Sequence, residues 1–355
     1  MREAGMGIRS DWRERLAAVG HLYVFGAPGR VGGAATKIRD LVGLLKEHLP
    51  ITVVVASMEL RDEPTVREFA RRSGVPVILR KELPERADGV ACVVCETDVF
   101  TSGWAERIRD KGLRLVFSND MMWEFPGERE AAREGWIDRV LFVSEGQRRQ
   151  FAAIHSGVEQ VVVPNFIDPD GFPWVERSNE RFTIGRLSRP DPAKFPVDFP
   201  VFYEALGLEG ARFRIQGWTE EVSRAYRWHR FGPEWELLAP NKVPAARFLQ
   251  SLDVFLYPLG HRVVESWGRA VVEAMLTGCV VVVPAGHSFH EFVESERTGF
   301  LFADFRECRQ IVRALHRDGR LRAQVGRAAA EVARRELCHR ERHLSAWAGA
   351  LTFES

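Results

Sequence analysis

The chain has 355 residues, 45% of them hydrophobic and 28% charged, more apolar material than one core usually holds, so two globular domains are expected. Lys and Arg (50) nearly balance Asp and Glu (49). That balance excludes a whole-protein field for gathering nucleic acid or anionic lipid, and any anion site has to be local.

Residues 1–20 carry charge throughout and lack the apolar core of a secretory signal, and runs such as 279–284 are too short to span a bilayer. A cytoplasmic protein is the expectation. Apolar runs of strand length then follow at 21–25, 51–56, 90–95, 113–117, 140–143 and 161–163, separated by helical segments. Runs without polar alternation suit strands buried on both faces, and their alternation with helices predicts a parallel sheet with right-handed crossovers. After the first run, a glycine-rich turn at residues 29–33 leads into a helix near Ala34 and offers open amides, with Gly32 and Gly33 as candidate ligand contacts. The turn lacks the full Gly-x-Gly-x-x-Gly spacing and a Walker lysine, which counts against dinucleotide and P-loop readings. Cys92 and Cys95 fall within an apolar run and are expected to be core residues. The odd total of five cysteines argues against a disulfide framework, and no second Cys-x-x-Cys pair completes a zinc site. Polar Ser118, Asn119 and Asp120 follow the fourth run at a strand's carboxyl end.

A Pro/Asp/Gly-rich passage at 164–175 breaks the rhythm and reads as an interdomain linker. The rhythm resumes at 181–185, 211–216, 235–238, 254–257 and 280–283 and ends at 299–303. The expected organisation is α/β: a Rossmann-like domain over 1–172, a second over 173–338, and a final helix at 339–355 packing back on the first. In open parallel sheets ligands sit outside the carboxyl ends of the strands, so two such domains are expected to face one another across a cleft. The stretch 306–342 holds eleven arginines against five acidic residues, and without an aromatic stripe it reads as a solvated face rather than a membrane surface. His339 and His343 lack a zincin's glutamate and a third ligand, so both are expected to be exposed. Tyr226, Trp228, Phe231 and Trp235 are expected to cap the second domain.

The residues richest in chemistry lie between 254 and 302. A strand ends near Tyr257 and Pro258, a loop carries Glu265, a helix begins near Ser266, Trp267 and Gly268, and Glu273 follows eight residues after Glu265. Ser266 is expected to cap this helix and Gly268 to admit a ligand to the backbone. Amides at the helix start, with Arg269 beside them, suit a diphosphate, and the two carboxylates suit sugar and ribose hydroxyls. Glu273 is expected two turns into the helix. Earlier, the strand ending at Gly185 is followed by Arg186, Arg189 and Lys194, cations suited to a leaving diphosphate as its charge grows.

Glu265-x7-Glu273, followed by Ala274-Met275, Gly278, the Val-rich strand at 280–283, Glu291 and Thr298-Gly299-Phe300-Leu301, resembles the retaining glycosyltransferases of GT-B fold, family-4 type. The resemblance implies that Glu265 contacts the donor sugar, Glu273 the ribose, and Arg186 and Lys194 the phosphates. Arg189 stands as a substitute, because the Arg–Lys gap here is longer and contains two prolines. The family's Gly-Gly turn matches Gly32 and Gly33. Its histidine near the reacting sugar is absent, leaving Asn119 and Asp120 for either chemistry or acceptor recognition. The resemblance further implies transfer with retention, no metal, a nucleotide-sugar donor and a sugar, glycan, lipid-linked or small-molecule acceptor. A sugar-nucleotide epimerase, a non-catalytic nucleotide-sugar-binding protein and a dinucleotide oxidoreductase are the competing readings.

Overall fold

A computed structural model describes residues 11–29, 33–177 and 179–353. It divides into two units, one running to Phe166 and resuming at Arg340, the other Ile167–His339. The first division falls inside the proline-rich passage at 164–175.

In the first unit, β1 (Leu22–Phe25), β2 (Ile51–Val55), β3 (Val77–Leu79), β4 (Val90–Val94), β5 (Arg114–Asn119), β6 (Arg139–Phe142) and β7 (Glu159–Val162) form one parallel sheet. The order is β3-β2-β1-β4-β5-β6-β7. Every residue of β1, β2 and β4 is buried, as expected of a sheet covered by helices on both faces. β3 was not expected: it is an edge strand of three residues, too short to leave a periodic signal. Cys92 is buried in β4. Cys95 follows it with a φ of 50°, a left-handed conformation costly for a side-chain-bearing residue. Burial pushes the Cys92 thiol up to about 12.

The helix Arg340–Leu351 belongs to this unit and packs on the helix Asp11–Ala18, with Leu344, Trp347 and Ala348 joining Trp12 and Leu16 in one core. Arg139 secures its end. The guanidinium donates to the carbonyl oxygens of Gly349 (2.9 Å), Ala350 (2.6 Å) and Thr352 (2.9 Å), and to Glu159 (2.6 Å). A cation among the unpaired carbonyls of a helix C-terminus meets both their hydrogen-bonding need and the negative end of the dipole. His343, expected to be exposed, is buried with its ring 5.2 Å from Phe166. The chain turns this side of the helix inward, a tertiary effect that the four-residue spacing does not reveal.

In the second unit, β8 (Thr183–Leu187), β9 (Arg212–Gln216), β10 (Trp235–Leu238), β11 (Val254–Leu256), β12 (Val280–Pro284) and β13 (Phe300–Phe302) form a parallel sheet in the order β10-β9-β8-β11-β12-β13. Gly185 sits where backbone comes close: a Cβ there would lie 2.1 Å from the Arg214 carbonyl oxygen. Tyr226 and Trp235 are part of the core with Phe199 and Trp218, whereas Trp228 is exposed. Among the described residues, no helix is long and apolar enough to cross a membrane.

Each sheet reverses its order once, between β1 and β4 and between β8 and β11. Such switch points open a crevice beyond the strands' carboxyl ends.

Candidate active site

In the second unit the switch point gathers two loops. One leaves β8 through Ser188 and Arg189 to Lys194; the other leaves β11 through Tyr257 and Pro258 to Glu265. Lys194 Nζ forms an ion pair with Glu265 Oε1, and Tyr257 Oη donates to the same oxygen at 3.3 Å. Both charged side chains are largely enclosed, which strengthens the pair beyond what an exposed pair contributes. The Glu265 backbone N–H donates to His287 Nδ1 at 3.3 Å. Burial pushes the Tyr257 phenol well above its ordinary value, and Glu265 adds to this. Tyr257 therefore acts as a neutral hydrogen-bond donor.

Arg186 does not occupy the expected position. It is fully buried, with its guanidinium donating to the carbonyl oxygens of Lys194 (2.6 Å) and Pro258 and lying 4.4 Å from the ring centres of both Phe195 and Tyr257. Burial lowers its pKa, against the pull of Tyr257. The side chain clamps the two loops together, and its enclosure keeps it from meeting a diphosphate in this structure. Lys194 and Arg189 are the cations nearer the surface. Arg189 is half-buried, and its guanidinium has no hydrogen-bond or ion-pair partner among the described residues.

The helix carrying Glu273 begins later than expected, at Arg269, and runs to Leu276. Its N-cap is Gly268, in the left-handed conformation (φ 79°), with no side-chain cap, so the expected capping by Ser266 is not made. Glycine is required there twice over, by this φ and because a Cβ would lie 2.3 Å from the Phe289 ring. Glu273 therefore stands one turn into the helix rather than two. Its Oε1 accepts from Arg269 Nε at 2.7 Å, and the carboxylate is nearly buried. In the first turn the Val271 N–H donates to the Gly268 carbonyl at 2.9 Å, and Gly268 itself brings no side chain over the helix start, where the dipole favours an anion. Trp267 points inward against Phe292, with 4% of its surface exposed, and is a core residue rather than a ligand contact.

In the first unit, Gly32 lies outside the described residues. Gly33 opens the helix Gly33–Leu45 and is exposed, with open space where a Cβ would stand. Asn119 is a scaffold residue: its amide donates to Glu128 (3.2 Å) and the Trp123 carbonyl (3.4 Å) and accepts from the Met121 N–H (2.8 Å). Glu128 in turn meets His155 Nε2 at 2.7 Å, both fully buried. Asp120 is different. Its carboxylate pairs with Lys37 Nζ at 2.7 Å and accepts from Ser118 Oγ at 3.0 Å, at the carboxyl end of β5. Sequence reasoning missed Lys37 and His287. A lysine within the apolar Gly33–Leu45 helix was a signal for the first; for His287 the sequence held none.

Residues 185–318 match the family described as Glycosyl transferases group 1. No curated protein matches the chain in sequence. Solved structures match nearly all of it. HepE from Anabaena, determined in complex with UDP-glucose, superimposes with a TM-score of 0.71 at 14% identity over 93% of this chain and 98% of its own. Sucrose-phosphate synthase from Thermosynechococcus elongatus gives 0.65 at 12% identity, over 94% and 96%. The lipopolysaccharide outer core galactosyltransferase WaaB gives 0.64 at 12%, over 93% and 98%. The fold is that of the GT-B glycosyltransferases, two Rossmann-like units each built on a parallel sheet. The matched stretch, 185–318, falls within the second unit.

Proposed function

We propose that the protein transfers a sugar from a nucleoside-diphosphate donor to an acceptor hydroxyl, with retention and without a metal. The observation that carries this reading is the pair of nearly buried carboxylates, Glu265 and Glu273, each held by a cation at a switch point and a glycine-opened helix start. Glu273 accepts from the ribose and Glu265 from the donor sugar, while the first-turn amides and Arg189 hold the diphosphate. Lys194 exchanges part of its interaction with Glu265 for the leaving phosphate, whose charge grows as the glycosidic C–O bond breaks. The acceptor oxygen forms its bond to the anomeric carbon on the same face, and its proton passes to a donor phosphate oxygen. Acceptor recognition is assigned to the first unit, where Lys37 holds the Asp120 carboxylate ready for a hydroxyl.

The support is the match to the glycosyltransferase group 1 family and the fold shared with a structure holding UDP-glucose. The test is incubation of the full chain with UDP-, GDP- and ADP-sugars and a panel of sugar acceptors, with EDTA present. Acceptor-dependent release of nucleoside diphosphate, with the donor's anomeric configuration kept in the product, is expected. Conversion of the nucleotide sugar without acceptor would identify an epimerase. Activity lost to EDTA and restored by a divalent ion would overturn the metal-free mechanism.

A further inference from the structure

His287 lies on the loop between β12 and β13 and belongs to none of the groups that would touch donor or acceptor. Its Nδ1 accepts the Glu265 backbone N–H, and its own carbonyl oxygen is 2.6 Å from His290 Nδ1. An N–H aimed at Nδ1 requires a lone pair there, which fixes the neutral imidazole with its proton on Nε2. Glu265 itself is held at its side chain by Lys194 and Tyr257 and at its backbone N–H by this imidazole, while the start of its loop is held by Arg186 on the Pro258 carbonyl and by the Gly260 N–H on the Lys194 carbonyl. Resting on the donor-binding role given to Glu265, we propose that His287 is a positioning residue: its neutral ring sets the Glu265 backbone for donor binding, and protonation withdraws that support. Protonated Nδ1–H would face the Glu265 N–H as donor against donor, and the loop would have to turn.

The charged groups facing the ring are Glu265, on the loop after β11, and Lys194, on the loop after β8; His290 lies on its own segment. Burial lowers the imidazole's pKa from 6.5 and Lys194 lowers it too, while Glu265 raises it, with burial the largest effect. The neutral form is therefore favoured at neutral pH and is lost in acid, below the ordinary value of 6.5.

The experiment compares wild type, His287→Asn and His287→Leu for affinity toward UDP-glucose, GDP-mannose and ADP-glucose between pH 5 and 8. Asparagine can place an oxygen near the position of Nδ1 and does not titrate; leucine removes the acceptor. For the donor that wild type binds best, His287→Leu is expected to lose about tenfold in affinity at pH 7.5, the cost of one lost hydrogen bond. His287→Asn is expected to recover most of that loss and to abolish the wild type's decline in acid. Imidazole 15N NMR of the free wild-type protein is expected to show Nδ1 unprotonated, with a midpoint below 6.5. A protonated Nδ1 at neutral pH, a midpoint above 6.5, or an acid decline unchanged in His287→Asn would overturn the proposal. If wild type binds none of the three donors, the functional reading is what fails, and the NMR result decides the part played by His287 on its own.

Discussion

Two cations eight residues apart in the sequence have opposite environments. Arg186 is sealed between Phe195 and Tyr257 with its hydrogen bonds turned to two main-chain carbonyls, while Lys194 stands at the crevice on Glu265. Arg186→Ala therefore leaves buried carbonyls unsatisfied and a cavity between two rings. A loss on the order of 3 kcal/mol is expected in denaturant unfolding. Lys194→Ala leaves the enclosed Glu265 carboxylate without its cation, so it should lower the unfolding midpoint too, and the protein that remains folded should lose at least about tenfold in kcat, because the ammonium is needed most as the leaving phosphate gains charge. If Arg186→Ala melts like wild type and loses turnover selectively, the clamp assignment is wrong. Residue types suited to a phosphate were legible in the sequence here. Which of them faces the ligand depends on aromatic rings brought from 195 and 257, and that is decided by packing.

At the scale of elements, the helix Arg269–Leu276 shows what a local pattern can convey. Its apolar face and the Gly268 before it were readable, whereas the starting residue was misplaced because a serine two positions earlier satisfied the usual capping preference. Gly268→Ala combines a left-handed φ with a clash against Phe289. It is expected to cost roughly 2 kcal/mol and to weaken diphosphate binding by displacing the first-turn amides. Thermal melts with and without UDP measure both effects, and a variant whose melting point and UDP-induced shift equal those of wild type would contradict this account. Among the described residues, twelve of the thirteen strands announced themselves as apolar runs; β3, three residues at the sheet edge, did not. Asn119 reads in the sequence as a cleft residue because it ends a strand, yet its amide is taken up by Glu128, nine residues further on.

For the whole molecule, the histidines give stability a direction with pH. His21, His48, His287 and His316 each have a pKa lowered first by burial. Between the folded and unfolded values the unfolded chain binds more protons, so stability rises with pH there and falls as the solution is acidified below about 6.5. Asp98, lowered by its hydrogen bond from Arg80, continues the loss at lower pH, while Glu96, raised by burial, opposes it over its own range. The melting temperature is expected to fall between pH 7 and pH 5; an unchanged or higher value at pH 5 would show that these histidines are not held neutral. The alternation of apolar runs and helices made both Rossmann-like sheets legible in the sequence, because parallel strands buried on two faces leave an uninterrupted mark. The surroundings of Asp120 were not, since a contact such as Lys37 to Asp120 joins a helix to a strand end 83 positions away.

In the proposed mechanism Glu265 and Glu273 hold the nucleotide sugar, and calorimetric titration of wild type and Glu273→Ala with UDP, GDP, ADP and their glucose or mannose conjugates measures that hold. Wild type is expected to bind one nucleoside diphosphate family in the presence of EDTA, and Glu273→Ala, without the ribose contact, to bind it at least about tenfold more weakly. No binding by wild type, or equal binding by the variant, would contradict the account.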